Sequence, residues 1–313
     1  MIYFSDLHTS AKKYFRFTIN IICILLLTVI ADQIIGKLLQ HYYFRQESGL
    51  YYRTTYAMDS TKAEILVFGS SRANHHYVPY VFEDSLKLSF YNTGRDGNFL
   101  LYSYAVFKSV VSRYTPRIII FDISPTELYN EENEYERLSS LLPYYKSHPE
   151  IRPIVKLRSQ FEQIKHLSRI YPYNSSILTI AIGITNFNKT RKGDQKGYIP
   201  LNSVIIDTIL HSTNLTERKM DSNKLNAITE IITYCISHKI DLIFVQSPMY
   251  EKINETQSTI NLRKLASEKN VPFWNLINEN IFLTNPSFFQ DKDHLNNRGA
   301  EYFSRMLVSK IKN

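Results

Sequence analysis

The chain has 313 residues, 44% of them hydrophobic and 21% charged, a balance typical of a globular protein with one sizeable domain. It carries 37 Lys and Arg against 29 Asp and Glu, a formal charge of +8, but the basic residues are scattered, which argues against a nucleic-acid partner. The two cysteines, Cys23 and Cys235, offer neither a metal-ligand spacing nor a disulfide framework.

An apolar segment lies close to the N-terminus. Residues Phe17 to Ala31 read FTINIICILLLTVIA, and residues 12–16 supply a basic flank that favours a cytoplasmic N-terminus. Apolar residues at positions 34–39 extend the helix to roughly 20 residues or more, enough to cross a bilayer. We predict an uncleaved signal anchor over residues 1–39, in a single-pass protein of a bacterial cytoplasmic membrane. The alternative is a signal peptide cleaved after Ala31. In both cases the remainder is expected outside the cytoplasm.

The pattern after the apolar segment predicts an α/β domain. Residues 40–60, rich in Tyr and charge, are interpreted as a juxtamembrane linker, and residues 61–313 as the domain. Predicted strands are Ile65 to Phe68, Leu88 to Asn92, Arg117 to Ile123, Ile240 to Gln246 and Val271 to Leu276. Predicted helices are Leu100 to Arg113, Lys224 to His238, Ile260 to Lys269 and Arg298 to Lys310. Apolar strands that alternate with helices are typical of a parallel sheet covered on both faces, so we expect a three-layer α/β/α, flavodoxin-like fold.

Between residues 127 and 221 this alternation stops. We interpret the segment as a partly helical insertion, because it is too long for an ordinary connection. Insertions that follow a strand's C-terminal end lie beside the site in α/β folds, so this one is expected to shape the substrate cleft. Lys192, Lys196 and Tyr198 are candidates for that cleft, with solvated loop residues as the alternative.

The stretch Glu64 to Pro79, EILVFGSSRANHHYVP, has the pattern of a nucleophile turn. An apolar β-branched run stops at Gly69 and is followed by two serines and a helical segment, as when a buried strand delivers a nucleophile to the edge of a sheet. Ser71 is the candidate nucleophile. The same pattern also occurs where serine merely caps a helix.

The C-terminal stretch Phe288 to Gly299, FFQDKDHLNNRG, places Asp291 three residues before His294. In a Ser-His-Asp system the carboxylate holds one imidazole nitrogen while the other takes the serine proton, and a short Asp-x-x-His loop supplies both groups. Asp293 is a weaker candidate, because neighbouring side chains on a turn diverge. The alternative is a capping Asp and a surface His.

A third stretch, Phe90 to Phe99, reads FYNTGRDGNF. Gly94 and Gly97 let the backbone approach a ligand and direct N–H groups at it, so the amide of Gly97, with that of Ser71, is the candidate oxyanion hole. The alternative is that both glycines serve only as turn residues.

Together the three stretches resemble the SGNH, or GDSL-like, hydrolase superfamily, from about Glu64 to the C-terminus. The resemblance aligns Gly69-Ser70-Ser71 on the family's Gly-Asp-Ser block, with Ser70 in place of the usual Asp. It implies Ser71 as nucleophile, Gly97 as oxyanion donor, His294 as general base and Asp291 as the orienting acid.

The third block of that superfamily is altered. It normally carries Gly-x-Asn-Asp after a strand, with the Asn donating to the oxyanion, but here the strand runs into Ser124-Pro125-Thr126-Glu127. Thr126, Asn98 or Arg72 are candidates to replace the missing donor or to bind substrate. The missing Asn is compatible with slower hydrolysis, with another donor, or with acyl transfer in place of hydrolysis.

Two interpretations are open for each of three residues that follow the candidate nucleophile: Arg72, His75 and His76. Arg72 is a candidate to hold an anionic substrate or the oxyanion, and the alternative is a pairing with Asp122 or Glu127 that stiffens the loop. His75 and His76 are candidates for the cleft mouth, and the more common situation is a pair of surface histidines. Adjacent histidines on a helix face different ways, which argues against a metal site.

Some members of this superfamily are membrane-anchored and have a Gly-Ser-Ser block and no third-block Asn. They include proteins similar to the D-alanyl transfer protein of teichoic acid modification and to alginate acetylation proteins. The resemblance implies a serine esterase or O-acyltransferase acting on an acylated extracytoplasmic carbohydrate, beside a membrane-bound O-acyltransferase and without a metal or organic cofactor. The alternative is a non-catalytic subunit of this fold that binds glycan or the acyltransferase.

Overall fold

The computed structural model describes residues 3–185 and 195–313. Its strands are β1 (Ile65–Phe68), β2 (Phe90–Asn92), β3 (Ile118–Asp122), β4 (Ser212–Thr213), β5 (Asp241–Gln246), β6 (Lys252–Ile253) and β7 (Phe273–Asn275). Five of them form one parallel sheet in the order β2-β1-β3-β5-β7, and β4 and β6 form a small parallel pair. The five predicted strands are those of the main sheet, each within two residues at either end.

The helices cover both faces of this sheet. They are α1 (Tyr3–Phe44), α2 (Gly49–Asp59), α3 (Ser71–His76), α4 (Pro79–Leu86), α5 (Leu100–Val111), α6 (Glu132–Arg137), α7 (Arg152–Lys156), α8 (Glu162–Lys165), α9 (Ile177–Ile184), α10 (Ser222–Ser237), α11 (Gln257–Ser267), α12 (Asn280–Leu283) and α13 (Asn297–Lys312). Short 3-10 helices lie at Leu138–Tyr144, Pro149–Ile151, Tyr171–Ser176 and Pro286–Phe288.

The apolar strands explain the layered architecture. Successive side chains of a strand point to opposite faces of the sheet. Leu66 and Phe68 of β1 therefore join the core beneath α5 and α10. Ile65 and Val67 join the core beneath α3, α4 and α13. All four are fully buried, as a parallel sheet between two helical layers requires, and the predicted three-layer α/β fold is confirmed.

The parallel pairing brings the carboxyl ends of β1, β2 and β3 to one edge. Ile65 is in register with Phe90 of β2 and with Ile118 of β3. Beyond the end of β2, the amide of Thr93 donates to the carbonyl of Val67 at 2.8 Å. The turn after β1 carries Ser71, and the turn after β2, residues 93–99, carries Gly94 and Gly97 and is called the glycine loop. These two turns are therefore adjacent.

Residues 40–60 do not form the predicted linker. Helix α1 continues to Phe44, and α2 begins five residues later and packs on α5. Tyr43 is 1% exposed, and its ring lies edge-on to that of Tyr144, with centroids 5.9 Å apart. Arg53 and Met58 of α2 are also buried. The tyrosine rings supply apolar area and their hydroxyls find partners inside the domain, so this polar-looking stretch belongs to the core.

Helix α1 is 42 residues long, and its segment Lys12–Phe44 is long and apolar enough to cross a membrane by length and composition. The insertion is attached to it. Asp32 accepts hydrogen bonds from the Ser168 hydroxyl at 2.5 Å and from the amide of Arg169 at 2.8 Å. At Gly36 a side chain would collide with Arg169, since a Cβ there would lie 2.3 Å from that residue's Cβ. The described part of the insertion therefore packs against the helix, through Ser168 and Arg169, as well as against the sheet domain.

Candidate active site

The turn after β1 presents Ser71 at the start of α3. Gly69 has a φ of +146°, and a Cβ at this position would lie 2.6 Å from the carbonyl oxygen of Asp122, so glycine is required where β1 leaves the sheet beside β3. Ser70 is the N-cap residue and Ser71 the first helical residue. As a first-turn amide, the N–H of Ser71 has no acceptor within the helix.

Ser71, His294 and Asp291 form one chain of hydrogen bonds. The Oγ of Ser71 lies 2.7 Å from Nε2 of His294. The opposite ring nitrogen, Nδ1, lies 2.9 and 3.0 Å from the two carboxylate oxygens of Asp291. Because Nδ1–H donates to the carboxylate, Nε2 is left as the acceptor for the serine proton. The structure thus brings together the three residues that the sequence pattern indicated.

The loop that carries His294 is closed on itself. Phe289 and Leu295 form an antiparallel bridge, and the amide of Gln290 donates to the carbonyl of His294 at 2.9 Å. One carboxylate oxygen of Asp291 also accepts the amides of Asp293 and His294, both at 2.9 Å. The carboxylate is therefore oriented by the turn in which it lies, and the Asp293 amide is part of that turn.

His76 supports this loop from below. Its Nε2 accepts the amide of Leu295 at 3.0 Å, so its Nδ1 carries the proton, which it donates to the hydroxyl of Ser247 at 3.0 Å. Burial, and then the nearby His294, hold the pKa of His76 well below its usual value. His76 is completely buried, so the expectation of a surface histidine was wrong.

His75 is likewise buried, at 6% exposure, and faces a different set of groups. Its Nδ1 lies 2.8 Å from the carbonyl of Ile199 and its Nε2 3.2 Å from the carboxylate of Asp96. Burial alone would raise the pKa of Asp96, but the hydrogen bond and charge of His75 lower it. His75 therefore connects the nucleophile helix to the glycine loop.

Arg72 does not reach the hydroxyl of Ser71 through any contact in the described part of the chain. Its Nη2 lies 3.6 Å from Oδ1 of Asp122, and both side chains are buried. The other oxygen of Asp122 accepts the hydroxyl of Tyr77 at 2.8 Å. Arg72 thus adopts the pairing with Asp122 that the sequence also allowed.

The glycine loop is fastened to the nucleophile turn. The amide of Arg95 donates to the carbonyl of Gly69 at 3.2 Å, and a Cβ on Gly94 would lie 2.5 Å from the amide nitrogen of Asn74 in α3. Gly97 has a φ of +67°, which favours glycine, and a Cβ there would meet only Nη1 of Arg137, at 3.8 Å. The space around the Cβ position of Gly97 is consequently open.

The segment after β3 has a structural use that the sequence did not reveal. The carboxylate of Glu127 accepts the amide of Leu100 at 2.6 Å and so caps the start of α5. Thr126 lies 3.4 Å from the hydroxyl of Ser124. Within the described ranges, no hydrogen bond joins Thr126 to the triad. Neither residue supplies an evident third oxyanion donor.

Asn98 is engaged in its own loop. Its side-chain oxygen accepts the hydroxyl of Ser140 at 3.1 Å, and its Nδ2 lies 3.3 Å from the carbonyl of Asp96. These contacts join the glycine loop to the 3-10 helix Leu138–Tyr144 of the insertion. Asn98 therefore helps to fix the glycine loop against the insertion.

A cavity of about 220 Å³ lies between the glycine loop and the insertion. Its charged lining residues are Arg95, Asp96 and Arg137, and its neutral polar wall includes Asn98 and Ser140. Asp96, through His75, links this cavity to the triad, since the rings of His75 and His294 are 5.6 Å apart. Residues of the insertion, Arg137 and Ser140 among them, therefore line this cavity, and its role as a substrate cleft stays a prediction.

The other cleft candidates lie elsewhere. Lys192 falls outside the described residues. Lys196 pairs with Glu83 at 2.6 Å on the surface, and Tyr198 is fully buried and donates to the side chain of Asn297 at 2.8 Å. Over residues 3–185 and 195–313, no group of three or more His, Cys, Asp or Glu side chains could hold a metal ion.

No protein-family profile matches the chain, and no curated protein matches it. Among solved structures, it is similar to a candidate acylhydrolase from Bacteroides fragilis, with 10% identity, a TM-score of 0.36, and coverage of 80% of this chain and 88% of that one. It is also similar to a gut microbial diltiazem-metabolizing enzyme, with 12% identity, a TM-score of 0.31, and coverage of 78% of this chain and 46% of that one. Likenesses at this level assign no family, and the chemistry of the site rests on its own geometry.

Proposed function

We propose that this protein is a serine esterase or O-acyltransferase of the SGNH type that acts on an acylated carbohydrate. The observation that carries the proposal is the continuous chain from the Ser71 hydroxyl through both nitrogens of His294 to Asp291, with contacts of 2.7 and 2.9 Å. This arrangement supplies a nucleophile, a general base and an orienting carboxylate in mutual contact.

The chemistry follows from these positions. Ser71 Oγ attacks the acyl carbonyl carbon while His294 Nε2 accepts its proton, and Asp291 stabilises the imidazolium that forms. When the tetrahedral intermediate collapses, the carbon–oxygen bond to the sugar breaks, and the departing oxygen takes the proton from Nε2. Water or a second sugar hydroxyl then attacks the acyl-serine and gives its proton to His294. The second tetrahedral intermediate collapses by breaking the bond to Ser71 Oγ, which takes the proton back from Nε2. Attack by water gives hydrolysis and attack by a sugar hydroxyl gives transfer.

The oxyanion is proposed to be held by the backbone amides of Ser71 and Gly97. The open space around the Cβ position of Gly97 and the unpaired position of Ser71 in its helix support this assignment. A missing donor costs typically about 2.7 to 4 kcal/mol of transition-state stabilisation. Glu127 caps a helix, and no hydrogen bond among the described residues supplies a third donor, so the proposed oxyanion hole is weaker for attack by water and by a sugar hydroxyl alike.

We further propose a single-pass anchor in a bacterial cytoplasmic membrane, with the domain on the outer side. The apolar segment of α1 and its basic flank support this topology. By resemblance to the D-alanyl transfer and alginate acetylation proteins, the partners would be an acylated cell-surface glycan and a membrane-bound O-acyltransferase.

A non-catalytic subunit of the same fold is the second candidate. The observation in its favour is the segment after β3, where Glu127 caps α5 and, in the described part of the chain, no hydrogen bond marks a donor in place of the third-block Asn. Such a subunit would bind glycan or the acyltransferase without forming an acyl-serine.

A fluorophosphonate probe separates the two. The full chain is used in detergent micelles, because residues 40–60 are part of the folded core. We expect wild type to be labelled, Ser71→Ala to be unlabelled, and the neighbouring Ser70→Ala to retain labelling. Absence of labelling in wild type, or equal labelling of Ser71→Ala, would show that Ser71 is not the nucleophile.

A further inference from the structure

We infer that the cavity between the glycine loop and the insertion binds an oxyanion, a carboxylate or a phosphate ester, carried by the carbohydrate substrate. The group that points to this is Arg95, whose side chain lines the cavity and is only 7% exposed. The inference deepens the proposed function, since it assigns a charge to the substrate of the same site.

Arg95 is buried and has no acidic partner among residues 3–185 and 195–313. Its Nη1 donates to the hydroxyl of Thr54 at 2.5 Å, and its side chain also hydrogen-bonds Tyr102, while its buried Nε has no hydrogen-bond partner among the described residues. The guanidinium lies 5.4 Å from the ring centre of Tyr102 and 5.7 Å from that of Tyr51. The rings provide a cation–π environment but no compensating charge. A buried, incompletely bonded cation is costly, which indicates that its partner is supplied by a ligand.

The charges around the cavity favour an anion. Its lining contains two guanidinium groups, Arg95 and Arg137, against one carboxylate, Asp96. That carboxylate already faces Nε2 of His75 at 3.2 Å, on the side toward the triad. A planar guanidinium binds carboxylate and phosphate oxygens in a fork geometry that a neutral hydroxyl does not match.

The position of the cavity ties it to the acyl chemistry. Nη1 of Arg137 lies 3.8 Å from the place of a Cβ on Gly97, the proposed oxyanion donor. The amide of Arg95 is bonded to Gly69, two residues before the nucleophile. At about 220 Å³ the cavity is smaller than the roughly 300 to 1,000 Å³ pockets of drug-sized ligands, and so suits one charged sugar residue. An ester on a neighbouring sugar would then face Ser71.

The test is equilibrium binding of three matched hexoses to the full chain in micelles at low salt. The probes are glucose, glucuronic acid and glucose 6-phosphate, and they distinguish a neutral ring, a carboxylate and a phosphate. We expect at least one anionic probe to bind about tenfold or more tightly than glucose. The anionic probe that binds more tightly than glucose shows whether the cavity prefers a carboxylate or a phosphate.

Two substitutions locate the preference. Arg95→Met, which keeps the apolar stem and removes the guanidinium, should reduce binding of the preferred anion to the level of glucose. Arg152→Gln is the matched control, because Arg152 also lies over a tyrosine ring, at 5.7 Å from Tyr145, yet bonds backbone carbonyls outside the cavity. It should leave the preference unchanged although it removes the same net charge.

Three results would overturn the inference: equal binding of all three sugars by wild type, a preference that survives in Arg95→Met, or an equal loss in Arg152→Gln. If Arg95→Met fails to fold, Arg95→Lys decides, because it keeps the charge without the fork and should lose the preference several-fold. Labelling of Ser71 is scored separately. A labelled protein without anion preference contradicts only this inference, and an unlabelled protein with the preference contradicts only the triad.

Discussion

Replacing His76 by Phe tests whether this buried histidine holds the loop that carries His294 in place. The ring volume is kept, but two hydrogen bonds are lost, from the amide of Leu295 and to the hydroxyl of Ser247. Leaving the buried Leu295 amide unpaired costs about 1 to 3 kcal/mol, and the lost Ser247 bond about 0.5 to 1.5 kcal/mol. We therefore expect a loss of roughly 2 to 4 kcal/mol in the free energy of unfolding.

Activity should fall as well, because Leu295 directly follows His294. A displacement of about 1 Å in a catalytic group costs on the order of 10²-fold in rate. The assay is the rate of fluorophosphonate labelling at pH 7.5, with thermal unfolding of the same full-length samples. His166→Phe is the control, since His166 is buried in the insertion against Tyr145 and should leave the labelling rate unchanged. Wild-type labelling and melting in His76→Phe would refute the positioning role.

The same histidine predicts a pH dependence of stability. Burial lowers the pKa of His76 in the folded state below its unfolded value, so the unfolded chain binds the extra proton first. Its contribution is therefore complete above about pH 6.5, the unfolded value, and is lost as the pH falls toward the folded pKa. Melting temperatures measured from pH 7.5 down to 5 should fall more steeply for wild type than for His76→Phe. Parallel curves would contradict this.

Three further predictions concern neighbouring parts of the site and the fold. Asp291→Asn should slow fluorophosphonate labelling by about 10² to 10⁴-fold with little change in melting temperature, because the half-exposed carboxylate mainly orients His294. Labelling at the wild-type rate would rule out that role. Burial alone would lower the pKa of His148, but its hydrogen bonds to Asp59 and Glu150 raise it. The stabilisation by His148 is therefore complete below about pH 6.5 and is lost as the pH rises through the folded pKa. The melting temperature of His148→Gln should differ from that of wild type more at about pH 6 than at about pH 9, and a constant difference would contradict this. Gly94→Ala should destabilise by about 1 to 3 kcal/mol in denaturant unfolding, since its Cβ would lie 2.5 Å from a backbone nitrogen of α3, and an unchanged midpoint would show that the loop can move away.

The sheet and its order of strands and helices were predictable because they follow from local patterns. Ile65–Phe68 and Ile118–Asp122 are continuous apolar runs, and such runs between helical segments have few alternatives to a covered parallel sheet. Ser71, His294 and Asp291 were likewise indicated by residue type and spacing, and the structure places them in contact.

What the sequence did not reveal depends on long-range partners. The burial of His76 requires Leu295 and Ser247, more than 150 positions away, and no local pattern near His76 signals them. Residues 40–60 look like a linker because of their polar composition, but Tyr43 packs against Tyr144, a hundred residues further on. Arg95 was overlooked for the same reason, since its environment of Thr54 and tyrosine rings is visible only in the folded structure.

The length of α1 has a mechanical consequence. At 1.5 Å per residue, its 42 residues extend about 63 Å, roughly twice the hydrocarbon thickness of a bilayer. Asp32 fastens the helix to the insertion, and Tyr43 fastens it to the core. With the apolar segment in a membrane as proposed, the rigid helix would hold Ser71 at one fixed distance from the membrane and in one orientation. Under the proposed function, an ester would then be selected by its distance from the membrane as well as by affinity.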